Sequence, residues 1–100
     1  MLDVPLLIGG QSCPARDGRT FERHNPVTGE VVSRVAAATL EDADAAVAAA
    51  QAAFPAWAAL APNERRTRLL KAAEQMQARA GEFIAAAGEN GAMANWYGFN

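Results

Sequence analysis

Apolar and polar positions fall into two regimes along this chain. From Leu6 to Ala36 the apolar residues come in short runs broken by Gly, Pro and Asn; from Leu40 to Ala87 they recur every three or four positions. Short runs between turn residues predict strands, and the longer spacing predicts helices. Leu6-Leu7-Ile8 reads as a strand ending at Gly9-Gly10, and Thr20-Phe21-Glu22-Arg23-His24 reads as a second strand after Gly18. Residues 9–19 carry three Gly, Pro14, Ser12 and Asp17, so they read as a connecting loop. The expectation is a hairpin with a loop longer than two residues. Asn25-Pro26-Val27-Thr28-Gly29 is a turn with a mechanism. Pro26 pre-sets φ at the second position, Asn25 suits the first, and Gly29 can take a positive φ that closes it. Glu30 to Ala36, rich in β-branched Val31, Val32 and Val35, predicts a third strand.

The helical half opens at Thr39. Thr39 can cap a helix and Asp42, three positions on, can reach back as in a capping box. Glu41, Asp42 and Asp44 suit the positive end of the helix dipole. Leu40, Ala43, Val47, Ala50 and Phe54 keep helical spacing, which predicts a helix over 40–53 that Pro55 breaks. Trp57 and Leu60 then fill the corner. Pro62-Asn63-Glu64 opens a longer helix with Leu69, Ala73, Met76, Ala80, Phe83 or Ile84, and Ala87 on one side. Glu64, Arg68, Lys71, Gln75, Arg79 and Glu82 lie on the other side, with a Glu64–Arg68 pair expected along it. Gly81 divides this helix, and Gly88 and Gly91 punctuate its end.

Composition changes this picture in one respect. Hydrophobic residues make up 51% of the 100 positions, yet about half of them are alanine. Alanine buries little apolar area, so the core is thin for the length. Small helix faces of this kind suit close packing against protein outside the chain. The net charge of −2 and pI near 5.3 argue against a nucleic-acid or anionic-membrane binder. One cysteine allows no internal disulfide. No stretch approaches the ~20 apolar residues of a membrane span. The expected setting is soluble and cytoplasmic. The chain ends on an aromatic-rich run with no stop signal, which reads as a cut rather than a natural terminus.

Little chemistry is written in the residues themselves. Cys13 and His24 are too few for a zinc site, which needs about four ligands. No nucleophile elbow, Walker A loop or strand-bound G-x-G-x-x-G occurs. Cys13, with only Arg16 near it in sequence, reads as an ordinary loop thiol. Arg65, Arg66, Arg68 and Lys71 read as a solvated helix face. Trp96 and Tyr97 stand out in an alanine-rich chain as fillers of a core or as an apolar pocket wall with a polar tip.

Several short signatures arrive in order: Ile8-Gly9-Gly10, Gly18, Thr20-Phe21, Asn25-Pro26-Val27-Thr28-Gly29-Glu30, Asp42, Ala46, Ala49-Ala50, Ala53-Phe54, Trp57, Glu64-Arg65, Leu69-Leu70 and Ala73. Each is weak alone. Together, in this spacing, they resemble the N-terminal run of the aldehyde dehydrogenase superfamily. Glu89-Asn90-Gly91-Ala92 stands where that superfamily usually reads Glu-Thr-Gly-Lys, a departure at two positions. The final segment, Met93 to Asn100, is similar to the bacterial branch that oxidises aromatic aldehydes of the salicylaldehyde, vanillin or benzaldehyde type.

The resemblance implies an α/β fold, with an N-terminal β-hairpin plus strand followed by helices, inside a larger aldehyde dehydrogenase fold with a Rossmann-like cofactor domain. Residues 1–100 would form the N-terminal segment of that cofactor-binding domain. Strands would fill 6–36, helices 40–88, and a substrate-channel helix would start over 92–100. It also implies oxidation by NAD (or NADP), through attack of a cysteine thiolate, an oxyanion hole, hydride transfer and hydrolysis of a thioester. The residues for those steps lie beyond position 100 in the family pattern, and Cys13 does not match the catalytic cysteine. Three implications reach this chain. Trp96 and Tyr97 would contact the aromatic ring of the substrate. A structural monovalent cation would be held by backbone carbonyls of Arg23 and His24 and by the side chain of Glu89. The strands would flank the cofactor domain. The implied partners are a small aromatic aldehyde and a second copy in a homodimer, with no nucleic acid or membrane, in aromatic hydrocarbon catabolism. A second reading, from another class, is a free-standing non-catalytic α+β module that packs its alanine faces on a partner.

Overall fold

The computed structural model describes residues 2–91. Five strands and three helices follow one another without alternation. The strands are β1 (Leu2–Val4), β2 (Leu6–Ile8), β3 (Gln11–Cys13), β4 (Thr20–His24) and β5 (Val31–Ala36). They form two separate sheets. In the first, β5 is central, parallel to β1 and antiparallel to β4; in the second, β2 and β3 pair antiparallel.

This pairing corrects the expected hairpin. Leu6–Ile8 does not pair with Thr20–His24 across a long loop. It pairs at once with Gln11–Cys13, placing Ile8 opposite Gln11 and Leu6 opposite Cys13. Gly9 and Gly10 both have positive φ, 59° and 77°. That is what a two-residue hairpin turn twisted to match its strands requires, and glycine adopts it without a Cβ penalty. Pro5, which has no N–H to donate, stands between β1 and β2. The second hairpin joins β4 to β5 through Asn25–Glu30. Gly29 at φ 78° donates its N–H to the Asn25 carbonyl at 2.8 Å, and Asn25 Oδ1 accepts from Val27 N at 2.9 Å.

The capping box opens α1 (Leu40–Ala59). Thr39 Oγ1 accepts from Asp42 N at 3.2 Å, and Asp42 Oδ2 accepts from Thr39 N at 2.8 Å. Pro55 does not end this helix, contrary to the sequence expectation; it lies inside it. The helix loses one hydrogen bond there, to the Gln51 carbonyl. Residues 51–59 are solvent-exposed, so water can satisfy that oxygen. Leu60 closes the helix, donating its N–H to the Trp57 carbonyl.

Pro62 sits at the first turn of α2 (Pro62–Ala78), where a missing N–H costs nothing. The division before α3 (Ala80–Glu89) falls at Arg79, two residues ahead of Gly81. Arg79 leaves helical geometry at φ −107°, ψ 18° and flanks both helices. Its guanidinium grips Glu82 at 2.6 Å and lies 5.9 Å from the Phe83 ring centroid. The expected Glu64–Arg68 pair is not among the ion pairs of the described residues, which are Arg19–Asp17, His24–Glu22 and Arg79–Glu82.

The core is thin, as the alanine count requires. Ala15 and Ala36 are its buried apolar residues, and no large side chain is fully buried among the described residues. β5 contributes Ser33 and Ala36 to the interior, and α1 packs its Ala49 toward Gly9 at the tip of the β2–β3 hairpin. Neither α2 nor α3 holds a buried residue, and Leu69 stays 62% exposed. No helix among the described residues is long and apolar enough to cross a membrane.

Candidate functional site

Two turns that lie far apart in sequence meet in space. One is Asn25–Glu30, between β4 and β5. The other closes α3, where Asn90 N and Gly91 N donate to the Ala87 and Gly88 carbonyls at 3.1 and 3.0 Å. Gly91 has φ 82°, and a Cβ added there would stand 2.7 Å from Pro26 Cγ and 3.3 Å from its Cδ. Only a residue without a side chain fits that approach.

The residues expected to hold a cation lie on the two elements that lead into these turns. Arg23 and His24 end β4, at an irregularity in the β4–β5 register, and both are exposed. His24 Nδ1 donates to the Gly29 carbonyl at 3.1 Å, and its Nε2 lies 4.0 Å from Glu22. Glu89 is the last residue of α3, two positions before Gly91. No hydrogen bond or ion pair joins Glu89 to Arg23 or His24. Among the described residues no cluster of three His, Cys, Asp or Glu side chains could hold a metal. Trp96 and Tyr97 lie outside the described residues.

A second polar cluster ties the helical half to the loop after β3. Asp42 is buried and accepts from the backbone N–H groups of Thr39 and, across 26 positions, Arg16 at 3.1 Å. These donors, Thr39 first and Arg16 second, hold its carboxyl below the usual carboxylate range. Asp17 is likewise lowered, by the backbone N–H and then the guanidinium of Arg19. Sequence reasoning found Asp42 as a cap and missed its link to Arg16, because nothing in the spacing marks a contact across 26 residues. Asp42 and Asp17 are both bonded from within the chain, and Asp42 ties α1 to the loop after β3.

Cys13 pairs opposite Leu6 and is half-buried. It lines an open cleft of about 510 Å3 with Ser12, Arg34, Asp3 and the residues around Pro5. No histidine lines that cleft. Among the described residues no loop has the glycine-rich strand-to-helix form that cradles a dinucleotide.

Comparison with known proteins gives these turns their context. Residues 13–95 match the aldehyde dehydrogenase family. The chain is 92% identical over all 100 residues to a vanillin dehydrogenase of Pseudomonas fluorescens, of which it spans 21%. It is 45% identical to a salicylaldehyde dehydrogenase of Pseudomonas putida, matching 99% of this chain and 21% of that one. Its backbone superposes with a TM-score of 0.93 on a crystal structure of salicylaldehyde dehydrogenase from Pseudomonas putida G7 complexed with salicylaldehyde, at 39% identity over 99% of this chain and 21% of that one. The chain thus spans about a fifth of the length of the curated relatives it matches. With that match over residues 13–95 and this superposition of strands, helices and turns, the chain belongs to the aldehyde dehydrogenase family.

Proposed function

We propose that this chain is the N-terminal segment of an aromatic aldehyde dehydrogenase, which oxidises a vanillin- or salicylaldehyde-type aldehyde to the carboxylic acid with NAD or NADP as the electron acceptor. The observation that carries this reading is the 92% identity along the whole chain to a vanillin dehydrogenase. A TM-score of 0.93 to a salicylaldehyde dehydrogenase supports it. In this reading the nucleophile and the nucleotide site lie beyond position 100.

The segment's own part is structural and positional. β1, β5 and β4 flank the cofactor domain, and the close junction of Pro26 and Gly91 sets where the chain leaves α3. Beyond that point, Trp96 and Tyr97 supply an aromatic wall for the substrate ring, where stacking and apolar burial orient the aldehyde. Arg23, His24 and Glu89 hold a structural monovalent cation. The enzyme acts in the cytoplasm as a homodimer.

The test is steady-state turnover by the whole polypeptide that carries this segment, with vanillin, salicylaldehyde and a short aliphatic aldehyde, followed by formation of reduced nicotinamide. Aromatic substrates should be preferred, and Trp96→Ala should erode that preference. Turnover of neither aromatic aldehyde would sink the reading. Equal loss on both substrate classes in the variant would leave Trp96 as packing.

A further inference from the structure

We infer that Asn90-Gly91 is a self-modifying step, at which the chain deamidates through a cyclic imide, and that the end of α3 keeps it closed until that turn opens. The inference goes beyond the function proposed above and does not rest on it. The chemistry needs a side-chain amide followed by a backbone N–H with no side chain in the way. The Gly91 nitrogen, losing its proton to hydroxide, attacks Asn90 Cγ. The Cγ–Nδ2 bond breaks and, with a proton from water, ammonia leaves. Water then opens the five-membered ring at either carbonyl, giving aspartate or isoaspartate; in isoaspartate the backbone runs through the side chain. Three asparagines are described. Asn25 precedes Pro26, which has no N–H to attack with. Asn63 lies in the first turn of α2 and precedes Glu64, whose N–H is held by the Ala61 carbonyl at 3.0 Å. Asn90 precedes glycine, and both residues are exposed. The fold itself demands that glycine: Gly91 has φ 82°, and a Cβ there would stand 2.7 Å from Pro26 Cγ. The close approach of the two turns thus requires the neighbour that leaves Asn90 most open to attack.

The folded turn holds the reacting atoms apart. Asn90 has φ −89° and ψ 13°. At that ψ its Cβ and the Gly91 nitrogen stand on separate sides of the Cα–C bond, whereas ring closure needs them eclipsed. The attacking nitrogen is tied to the Gly88 carbonyl at 3.0 Å, and the leaving amide, through Nδ2, to the Ala86 carbonyl at 2.6 Å. Both bonds must break and ψ must turn before the ring can form. The product does not fit back. It lacks the Nδ2 donor to Ala86, and it adds a carboxylate beside Glu89 at the negative end of the α3 dipole. Isoaspartate also inserts one backbone carbon directly before Gly91, where Pro26 leaves no room. The change is one-way and loosens the seam between the end of α3 and the Asn25–Glu30 turn.

The experiment incubates the whole polypeptide at mildly alkaline pH, native and in concentrated urea, as wild type and as Asn90→Thr. Mass and isoaspartate content are followed in the peptide that spans residue 90. In urea, wild-type position 90 should convert to a mixture of isoaspartate and aspartate well ahead of Asn63, while Asn90→Thr stays unchanged there. In the native chain the conversion should be slower by about tenfold or more, in proportion to the time that the Gly91 N–H is open to amide exchange. The native isoaspartate form should show faster exchange at Gly29 N, which the intact turn ties to the Asn25 carbonyl. Aspartate without isoaspartate in urea, or conversion no faster than at Asn63, overturns the site. Equal rates in the native and unfolded chains, or a native rate that does not follow Gly91 exchange, overturns the closure by α3. Unchanged exchange at Gly29 in the isoaspartate form overturns the loosening of the seam.

Discussion

Residues 1–100 on their own should lack a cooperative native state. The chain exposes 7955 Å2. A compact protein of its 10.5 kDa would expose about 5,400 Å2, and its unfolded chain about 15,000 Å2. Folding therefore hides a little under half of the surface, where about 60% or more is usual. The shortfall is about 2,500 Å2, of which about 1,400 Å2 is apolar at an ordinary surface composition. At about 25 cal/mol per Å2 that is ~35 kcal/mol of missing burial, and half of it already exceeds a typical net stability of about 5–15 kcal/mol. The exposed side chains agree: Phe54 is 65% exposed, Leu69 62% and Met76 56%. The assay is urea and thermal unfolding of the purified 100-residue chain by circular dichroism, with its mass in solution measured alongside. The expected result is a shallow, non-cooperative loss of helix or an aggregated species. A sharp two-state melt by a monomer would refute the reasoning, and would favour the reading of a free-standing module.

Three further outcomes are expected in the whole polypeptide. Thr39→Ala removes the side-chain half of the capping box; the first turn of α1 should open more easily by about 1 kcal/mol, read as roughly fivefold faster amide exchange there. Asp42 has a carboxyl pKa lowered in the fold by the Thr39 and Arg16 N–H groups. Its stabilisation is complete above the usual carboxylate range and is lost as pH falls through its lowered folded value. Asp42→Asn should flatten that acid limb in a stability–pH series, and an unchanged limb would show that other carboxylates carry it. Pro55→Ala restores an N–H for the Gln51 carbonyl within α1 and should raise stability by about 2 kcal/mol, after allowing for the looser unfolded chain. A fall in Tm instead would mean that the ring packs against something of value.

Local chemistry was legible in the sequence, and long-range pairing was not. Thr39 and Asp42 announce a capping box because both partners lie within one turn. The Asn25–Gly29 turn was readable because proline and glycine restrict φ at known positions. The partners of the strands were misjudged, because alternation shows that a segment is extended without showing what it pairs with. Gly9-Gly10 did carry the missing signal, since two adjacent glycines suit a two-residue hairpin. β1 escaped notice because three residues before Pro5 are too few to show a period, and its partner β5 lies about thirty positions on. Pro55 was overweighted: proline removes one hydrogen bond, and an exposed helix flanked by alanines absorbs that loss. Of the candidate site, the proximity of Pro26 and Gly91 could not be read, because close approach of two turns is a property of the assembled fold. Family membership was legible because many short signatures, each weak alone, stand in one order and spacing along the chain.

The most direct measurement of the central claim is the intact mass of the native polypeptide that contains this sequence, taken from its source cell. The chain spans 21% of its vanillin dehydrogenase relative. The account therefore predicts a polypeptide about five times the 10.5 kDa of this segment, with room for a dinucleotide-binding domain and a catalytic cysteine. A mass of 10.5 kDa would contradict it.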